Sequence, residues 1–501
     1  MIGVEITSMR SRPILSWRIR SISAQRVARI AAGILAAVAI LSSSTNTAVP
    51  TSQAAPRSTS SSQVYLPLIA RSIRPNIILI ITDDQRYDTM DYMPLTKAQI
   101  FAQGLTFTRA YITTPLCCPS RSSILTGQYA HHHQVLDNTT PLERPTFVQD
   151  LHNAGYYTGL VGKYLNSWSG EARPEFDYWV APGGTGTSQQ YFDPLLNVNG
   201  VWIQHYGYKT HIMRDYALNF LSLAKQRPAP FLLIFTPNAP HEPADPAPGD
   251  ENLYPNLPLY RPPSFMEADM SDKPENIQSI PAANPDYIDA LRHKQLQSLY
   301  SLDLAINQLL STLAANGQEA NTVVIFLSDN GVFWAEHRLN GKVYGYEEAA
   351  HVPFAIRYGS MIAEPRVESR LVANIDIAPT IYDLVGLSVP PDMDGVSLLP
   401  LIRQQTIQWR TALLIEGRGS GPLDYKALQT DRYLYIETER NISELYDSAT
   451  DPYQIQNQAT NPAYAATVNE LHNILAQYPL PLSHTPPGST PVPWNDSRLD
   501  D

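Results

Sequence analysis

The run Pro75-Asn76-Ile77-Ile78-Leu79-Ile80-Ile81-Thr82-Asp83-Asp84 limits the possible folds more than any other stretch of this chain. A strand with one solvated face alternates apolar and polar residues. An unbroken β-branched run is instead the pattern of a central parallel strand covered on both faces. It stops at two carboxylates, and in open α/β sheets ligands bind beyond the carboxyl ends of the strands. Three further apolar runs have the same form. Residues 160–163 read Leu-Val-Gly-Lys, 231–236 lead toward Ala239-Pro240-His241, and 322–328 lead into Asp329-Asn330. Four runs that deliver polar chemistry at the same end predict one pocket along one sheet edge. Leu296, Leu299, Ile306, Leu310 and Leu313 recur at helical spacing, with Gly317 as a stop.

Beyond Leu401 the pattern changes. Residues 411–416, 425–430 and 432–438 are short alternating runs, and 463–477 read as a closing helix. The expected fold class is therefore α/β: a large, mostly parallel sheet flanked by helices, then a smaller C-terminal antiparallel sheet plus helix. The division expected is a catalytic domain over 73–400, a subdomain over 401–480 and a loose tail over 481–501. A length of 501 residues suits that plan, and 42 prolines against 25 glycines favour many ordered loops.

Six arginines between positions 10 and 29 precede an apolar run at 30–41, followed by small polar residues. The run has the length of a signal-peptide core and is short for a bilayer span. Residues 1–45 are expected to be a signal peptide and 46–72, rich in Ser, Thr, Ala and Pro, a flexible linker. Secretion, with no stable membrane span after cleavage, is the expected destination; an uncleaved N-terminal anchor is the alternative. A net charge of −11 argues against a nucleic-acid partner, and an anionic substrate would then need a locally positive pocket.

The only two cysteines, Cys117 and Cys118, are adjacent, so no disulfide framework exists. Asp83-Asp84 alone reads as a helix cap. With Asp329-Asn330 at a second strand end it becomes a four-oxygen set suited to a hard divalent cation, and the lack of histidine and free thiolate disfavours zinc.

Cys117-Cys118-Pro119-Ser120-Arg121, followed by Ser-Ser-Ile-Leu-Thr-Gly, resembles the signature of type I sulfatases of the alkaline-phosphatase-like fold. The resemblance implies that a formylglycine-generating enzyme converts Cys117 to formylglycine (3-oxoalanine), whose hydrated diol supplies the nucleophile. It implies one Ca2+ held by Asp83, Asp84, Asp329, Asn330 and the modified Cys117. It also implies sulfate contacts from Arg121, Lys163, His241 and Lys342, with His241 and Lys342 as acids for the leaving oxygen.

One departure stands out. Many family members carry a histidine two residues after the lysine, placed to take a diol proton; here Leu165 occupies that position. His131 or His133, with Asn166 as a hydrogen-bonding partner, is the expected substitute. Cys-Cys-Pro-Ser-Arg together with Gly-Lys-Tyr-Leu-Asn resembles the N-acetylglucosamine-6-sulfatase branch, which suggests 6-sulfated N-acetylglucosamine of glycosaminoglycans as substrate. Two rival functions remain at this level: a phosphonate or phosphate ester hydrolase of the same fold, and a non-catalytic homologue that binds sulfated glycans.

Overall fold

A computed structural model of the chain describes residues 74–184, 189–418, 424–438 and 442–478. The expected signal peptide, linker and C-terminal tail lie outside these residues.

The organising run is the strand Asn76–Thr82 (β1), and every residue in it is buried. Its two faces feed different cores. Ile77, Leu79 and Ile81 pack with Cys118, Ile124 and Leu125, while Ile78 and Ile80 pack with Leu296, Leu299 and Ile306. This is why the run has no polar face, and each such side chain contributes about 1.5–3 kcal/mol by leaving water. The remaining strands of this sheet are Leu105–Phe107 (β2), Tyr157–Gly162 (β3), Tyr178–Pro182 (β4), Leu195–Val198 (β5), Val201–Gln204 (β6), Phe231–Thr236 (β7), Thr322–Ser328 (β8), Phe354–Arg357 (β9) and Arg366–Glu368 (β10). The order across the sheet is β10-β2-β9-β8-β1-β7-β3-β4-β5-β6. Neighbours from β8 to β4 run parallel, and antiparallel pairs flank that centre.

The register aligns the chemistry. β1 and β8 pair from Asn76↔Thr322 to Thr82↔Ser328, so Asp83 and Asp329 leave the sheet side by side. β3 and β7 pair up to Gly162↔Thr236, so Lys163 emerges one step later. Gly162 has φ +126, and a Cβ there would lie 2.0 Å from the Thr236 carbonyl oxygen. Only glycine lets β3 close on β7 at the point where Lys163 turns in.

Two helices sandwich the sheet centre. Cys117–Thr126 (α1) lies on one face, wholly buried, and ends at Gly127 with φ +69. Pro285–Ala315 (α2) lies on the other, started by Asn284, whose side chain accepts from the amides of Asp286 and Tyr287. The periodic leucines begin only at Leu296, eleven residues into the helix. The turns before it carry polar residues that bond to a neighbouring loop: Arg292 donates to the Pro258 carbonyl and His293 to the Leu253 carbonyl.

The antiparallel sheet has four strands, Ala412–Arg418, Asp424–Thr430, Tyr433–Thr438 and Ser443–Asp447, and the closing helix is Ala465–Leu475. Leu413, Ile415 and Ala427 face Phe333, Tyr344 and Tyr346, whereas Leu414, Leu428 and Leu445 face Leu471 and Leu475. One face of this sheet thus backs the segment that carries Lys342. The fourth strand and the β5–β6 hairpin are additions to the expected plan. The hairpin turn is Asn199-Gly200, with φ +51 and +91, the left-handed pair that a tight two-residue turn requires. No helix of the described residues is long and apolar enough to cross a membrane.

Candidate active site

Cys117 opens α1 and is fully buried. Its Sγ lies 3.1 Å from Lys342 Nζ and 3.6 Å from Asp83 Oδ1. Burial pushes the thiol up to about 12; Lys163 and Lys342 pull it down, but not far enough, and Asp83 and Asp329 oppose them. As a cysteine, residue 117 is therefore a protonated thiol at neutral pH, a poor nucleophile.

Around it three carboxylates meet three permanent cations. Lys163 Nζ is 2.8 Å from Asp83 Oδ2. Arg121 Nε donates to Asp329 Oδ2 at 2.7 Å, and its NH1 donates to the Lys163 carbonyl at 2.8 Å. Lys342 Nζ is 2.6 Å from Asp84 Oδ1. All six side chains are buried, where unpaired charge costs several kcal/mol, about as much as the pairing returns. Burial raises Asp83, yet Lys163, His241, Arg121 and Lys342 together hold it far below the usual carboxylate range. Lys163 shows the converse: burial disfavours its charge, and Asp83, Cys117 and Asp329 together outweigh burial.

His241 stands on the loop after β7. Its Nδ1 donates to the Glu242 carbonyl at 2.6 Å, which leaves Nε2 directed to Asp84 Oδ2 at 3.6 Å. Two backbone positions here are in the left-handed region. Asp84 has φ +64, and Val343, next to Lys342, has φ +82, an outlier for a β-branched residue. Asp84 N–H donates to Asp329 Oδ1 and Val343 N–H to the Pro115 carbonyl, so hydrogen bonds from other elements hold both conformations.

Carboxylate and amide oxygens here suit a hard cation, and the structure adds His241, absent from the four-oxygen set read in the sequence. Ligand atoms of Asp83, Asp84, Cys117 and His241 lie within 4.8 Å of one another. Asn330 donates Nδ2 to Asp84 Oδ1 at 2.5 Å, while its Oδ1 is buried without a hydrogen-bond partner, an acceptor that a divalent ion would satisfy. Asp329 reaches the site as well, with both oxygens already accepting, from the Asp84 amide and from Arg121.

The histidine run stands apart from these contacts. His131 Nδ1 meets Glu416 Oε2 at 2.9 Å, on the C-terminal sheet. His133 Nδ1 accepts from the Val135 amide, so the neutral ring carries its proton on Nε2 and donates to Ser123 Oγ at 3.0 Å. Burial, then the charges of His131, Arg144 and His132, depress His133 to about 3. Both histidines bond to groups other than the Cys117 cluster. Leu165 is core, and the Asn166 amide N–H donates to Cys118 Sγ at 3.0 Å.

One buried residue that sequence reading passed over is Arg86, two positions after Asp84. Its NH1 donates to the Val332 carbonyl at 2.8 Å and pairs with Glu336 Oε1 at 2.9 Å, and its guanidinium lies 4.3 Å from the Trp334 ring. These contacts tie the end of β1 to the hairpin Phe333–Trp334/Asn340–Gly341 that leads into Lys342. Only its place beside the acidic pair hinted at it.

The family model described as Sulfatase matches residues 75–387. The chain belongs to the sulfatase family. The model for the C-terminal region of N-sulphoglucosamine sulphohydrolase matches residues 335–479 of this sulfatase. An N-acetylglucosamine-6-sulfatase of Homo sapiens is 34% identical over 381 residues, covering 70% of this chain and 68% of that protein. An extracellular sulfatase SULF-1 homolog of Drosophila melanogaster is 35% identical over 394 residues, 74% of this chain but 35% of that protein, so this sulfatase spans about a third of that relative's length. Among solved structures, a protein in complex with its substrate D-glucosamine-2-N,6-O-disulfate superposes with TM-score 0.74 at 25% identity, over 81% of this chain and 97% of that one. The chain accordingly has the mixed α/β fold of the sulfatases.

Proposed function

We propose that this sulfatase is exported and hydrolyses sulfate monoesters with a formylglycine at position 117, a bound calcium ion, and 6-sulfated N-acetylglucosamine as the substrate class. The observation that carries the reading is the convergence of Arg121, Lys163, Lys342 and His241 with Asp83, Asp84, Asp329 and Asn330 around side chain 117. Asp83, Asp84, Asp329 and Asn330, with side chain 117, would hold the calcium. When bound it supplies charge neutralisation to the sulfuryl oxygens, and the hydrated formylglycine supplies the nucleophilic oxygen.

The chain's own residues do the rest. Sulfate ester cleavage places negative charge on the sulfuryl oxygens and on the departing alkoxide. Arg121 and Lys163, pinned by Asp329 and Asp83, offer fixed positive charge to the former without reorganising. Lys342 Nζ has N–H donors within reach of the same centre, and His241 takes its proton on Nε2 while Nδ1 stays bonded to the Glu242 carbonyl. These two groups donate to the leaving oxygen. The duty of the histidine replaced by Leu165 remains assigned to His131 or His133, through rearrangement of their bonds to Glu416 or Ser123.

Names of relatives support the substrate class and export, and the N-terminal arginines and apolar run support export. A screen with enzyme from a host that makes formylglycine tests the whole: sulfate release from 6-sulfated N-acetylglucosamine is expected. Faster cleavage of p-nitrophenyl phosphate than of the sulfate would sink the proposal in favour of a phosphoester hydrolase.

A further inference from the structure

The large sheet ends in two edge strands, β10 and β6, which differ in chemistry. β10 reads Arg366-Val367-Glu368, and Arg370 pairs with Glu368 beside it. Charges on an edge strand oppose its pairing with another chain, a common protection for main-chain groups left open. β6 lacks that protection. Residues 194–208 hold no Asp, Glu, Lys or Arg, in a chain where charged residues make up 17%. Apolar side chains there nonetheless face water: Val201 is 61% and Tyr206 83% exposed, and Phe192, Leu195, Trp202 and Ile203 are exposed as well.

The hairpin also fixes which main-chain groups are open. The Asn199-Gly200 turn makes Val198↔Val201 the closing hydrogen-bonded pair, and Leu196↔Ile203 is the next. The His205 amide continues the alternation by donating to the Pro194 carbonyl at 3.0 Å. Trp202 and Gln204 therefore turn their N–H and C=O groups away from β5. Among the described residues no strand takes them up. An antiparallel copy of the same strand does so. With a two-fold axis at Ile203, Trp202 lies opposite Gln204 of the second copy, and each such pair exchanges both N–H···O=C bonds. Ile203 then faces its own counterpart.

Charge selects the same occupant. Two chains of net charge −11 repel over most of their surface, but this run is uncharged in both. A sulfated polymer would need cations here and a charged protein would need the opposite charge, and the run offers neither. We infer that β6 is a dimerisation edge that joins the large sheets of two copies into one continuous sheet. The inference is independent of the proposed sulfatase function.

The test is sedimentation of the purified full chain over a concentration series from about 0.1 to 100 μM, where the mass is expected to double. Gln204→Pro removes an outward N–H without touching the ladder to β5, and Val201→Lys places a charge on the edge. Each is expected to weaken the dimer by about tenfold or more, with circular dichroism as the folding control, whereas Val367→Lys on the opposite edge changes nothing. Under mild oxidation Ile203→Cys should form a disulfide between copies and Val367→Cys should not, since Cys117 and Cys118 are buried. A monomer at every concentration overturns the inference, whatever else covers the edge. A dimer that Gln204→Pro leaves intact and Ile203→Cys does not cross-link overturns it too, because it forms through another face. None of these readouts depends on sulfate ester turnover.

Discussion

The two halves of the site are built differently. The reaction half rests on strand ends: β1, β3 and β8 deliver Asp83, Asp84, Lys163, Asp329 and Asn330 by register. The cleft beside it rests on a helix flank, a two-rung hairpin and a loop, contributing Gln295, Asn340 and Glu242. Strand ends in a buried sheet cannot shift by one residue without turning every side chain to the other core, so the chemistry is fixed with the fold. Loops and a short hairpin can change without touching that register. The lesson is a division of labour: the sheet register fixes the reacting residues, and its borders line the cleft beside them.

Perturbations should separate the halves. The largest effect belongs to the reaction half: Cys117→Ala is expected to lower kcat on any sulfate ester by about 10⁴-fold or more, read by sulfate release. Chelation of divalent cations followed by calcium addition should abolish and restore turnover, with a parallel fall and recovery in thermal midpoint. Retention of full activity after exhaustive chelation would contradict the metal assignment.

Arg86 lies where the halves join, and Arg86→Met leaves Glu336 buried without its partner. A stability loss of about 3–5 kcal/mol in denaturant unfolding is expected. In the folded fraction kcat should fall about tenfold, because the hairpin leading into Lys342 loses its tie to β1. A wild-type kcat would show that the hairpin holds its place without Arg86.

The smallest effect lies outside both halves. Folded His133 stays neutral down to about pH 3, whereas the unfolded side chain takes up a proton near 6.5. The unfolded state therefore binds the extra proton in that window, and stability falls as pH drops through it, by about 1.4 kcal/mol per pH unit. His133→Gln should flatten the stability–pH curve by that slope below pH 6.5. A curve parallel to wild type would mean that His133 does not titrate on unfolding.

Legibility in the sequence followed the same division. Ile77 to Ile81, and the runs ending at Lys163 and Asp329, were readable because a strand buried on both faces announces itself locally. The pairing of Asp83 with Asp329 followed once two such runs ended in acids. Arg86 was not readable: its pairing with Asp88 is local, but Val332 and Glu336, which tie it to the hairpin, lie 246 residues or more away and only the fold unites them. Glu242 and Asn340 sit in irregular segments with no periodicity to interpret. Asn199-Gly200 did carry a hairpin signal, but Val201–Gln204 is exposed throughout and lacks the alternation that would mark a strand. His131 and His133 drew attention as a dense histidine run, but their partners Glu416 and Ser123 could not be read from the sequence.

The central claim is that an oxidised side chain at 117, within this buried charge cluster, cleaves sulfate esters. The direct measurement is p-nitrophenyl sulfate turnover across preparations whose formylglycine fraction is read by mass of the peptide bearing residue 117. The account predicts a rate proportional to that fraction and extrapolating to zero at none. Equal rates from fully converted and unconverted protein would contradict it.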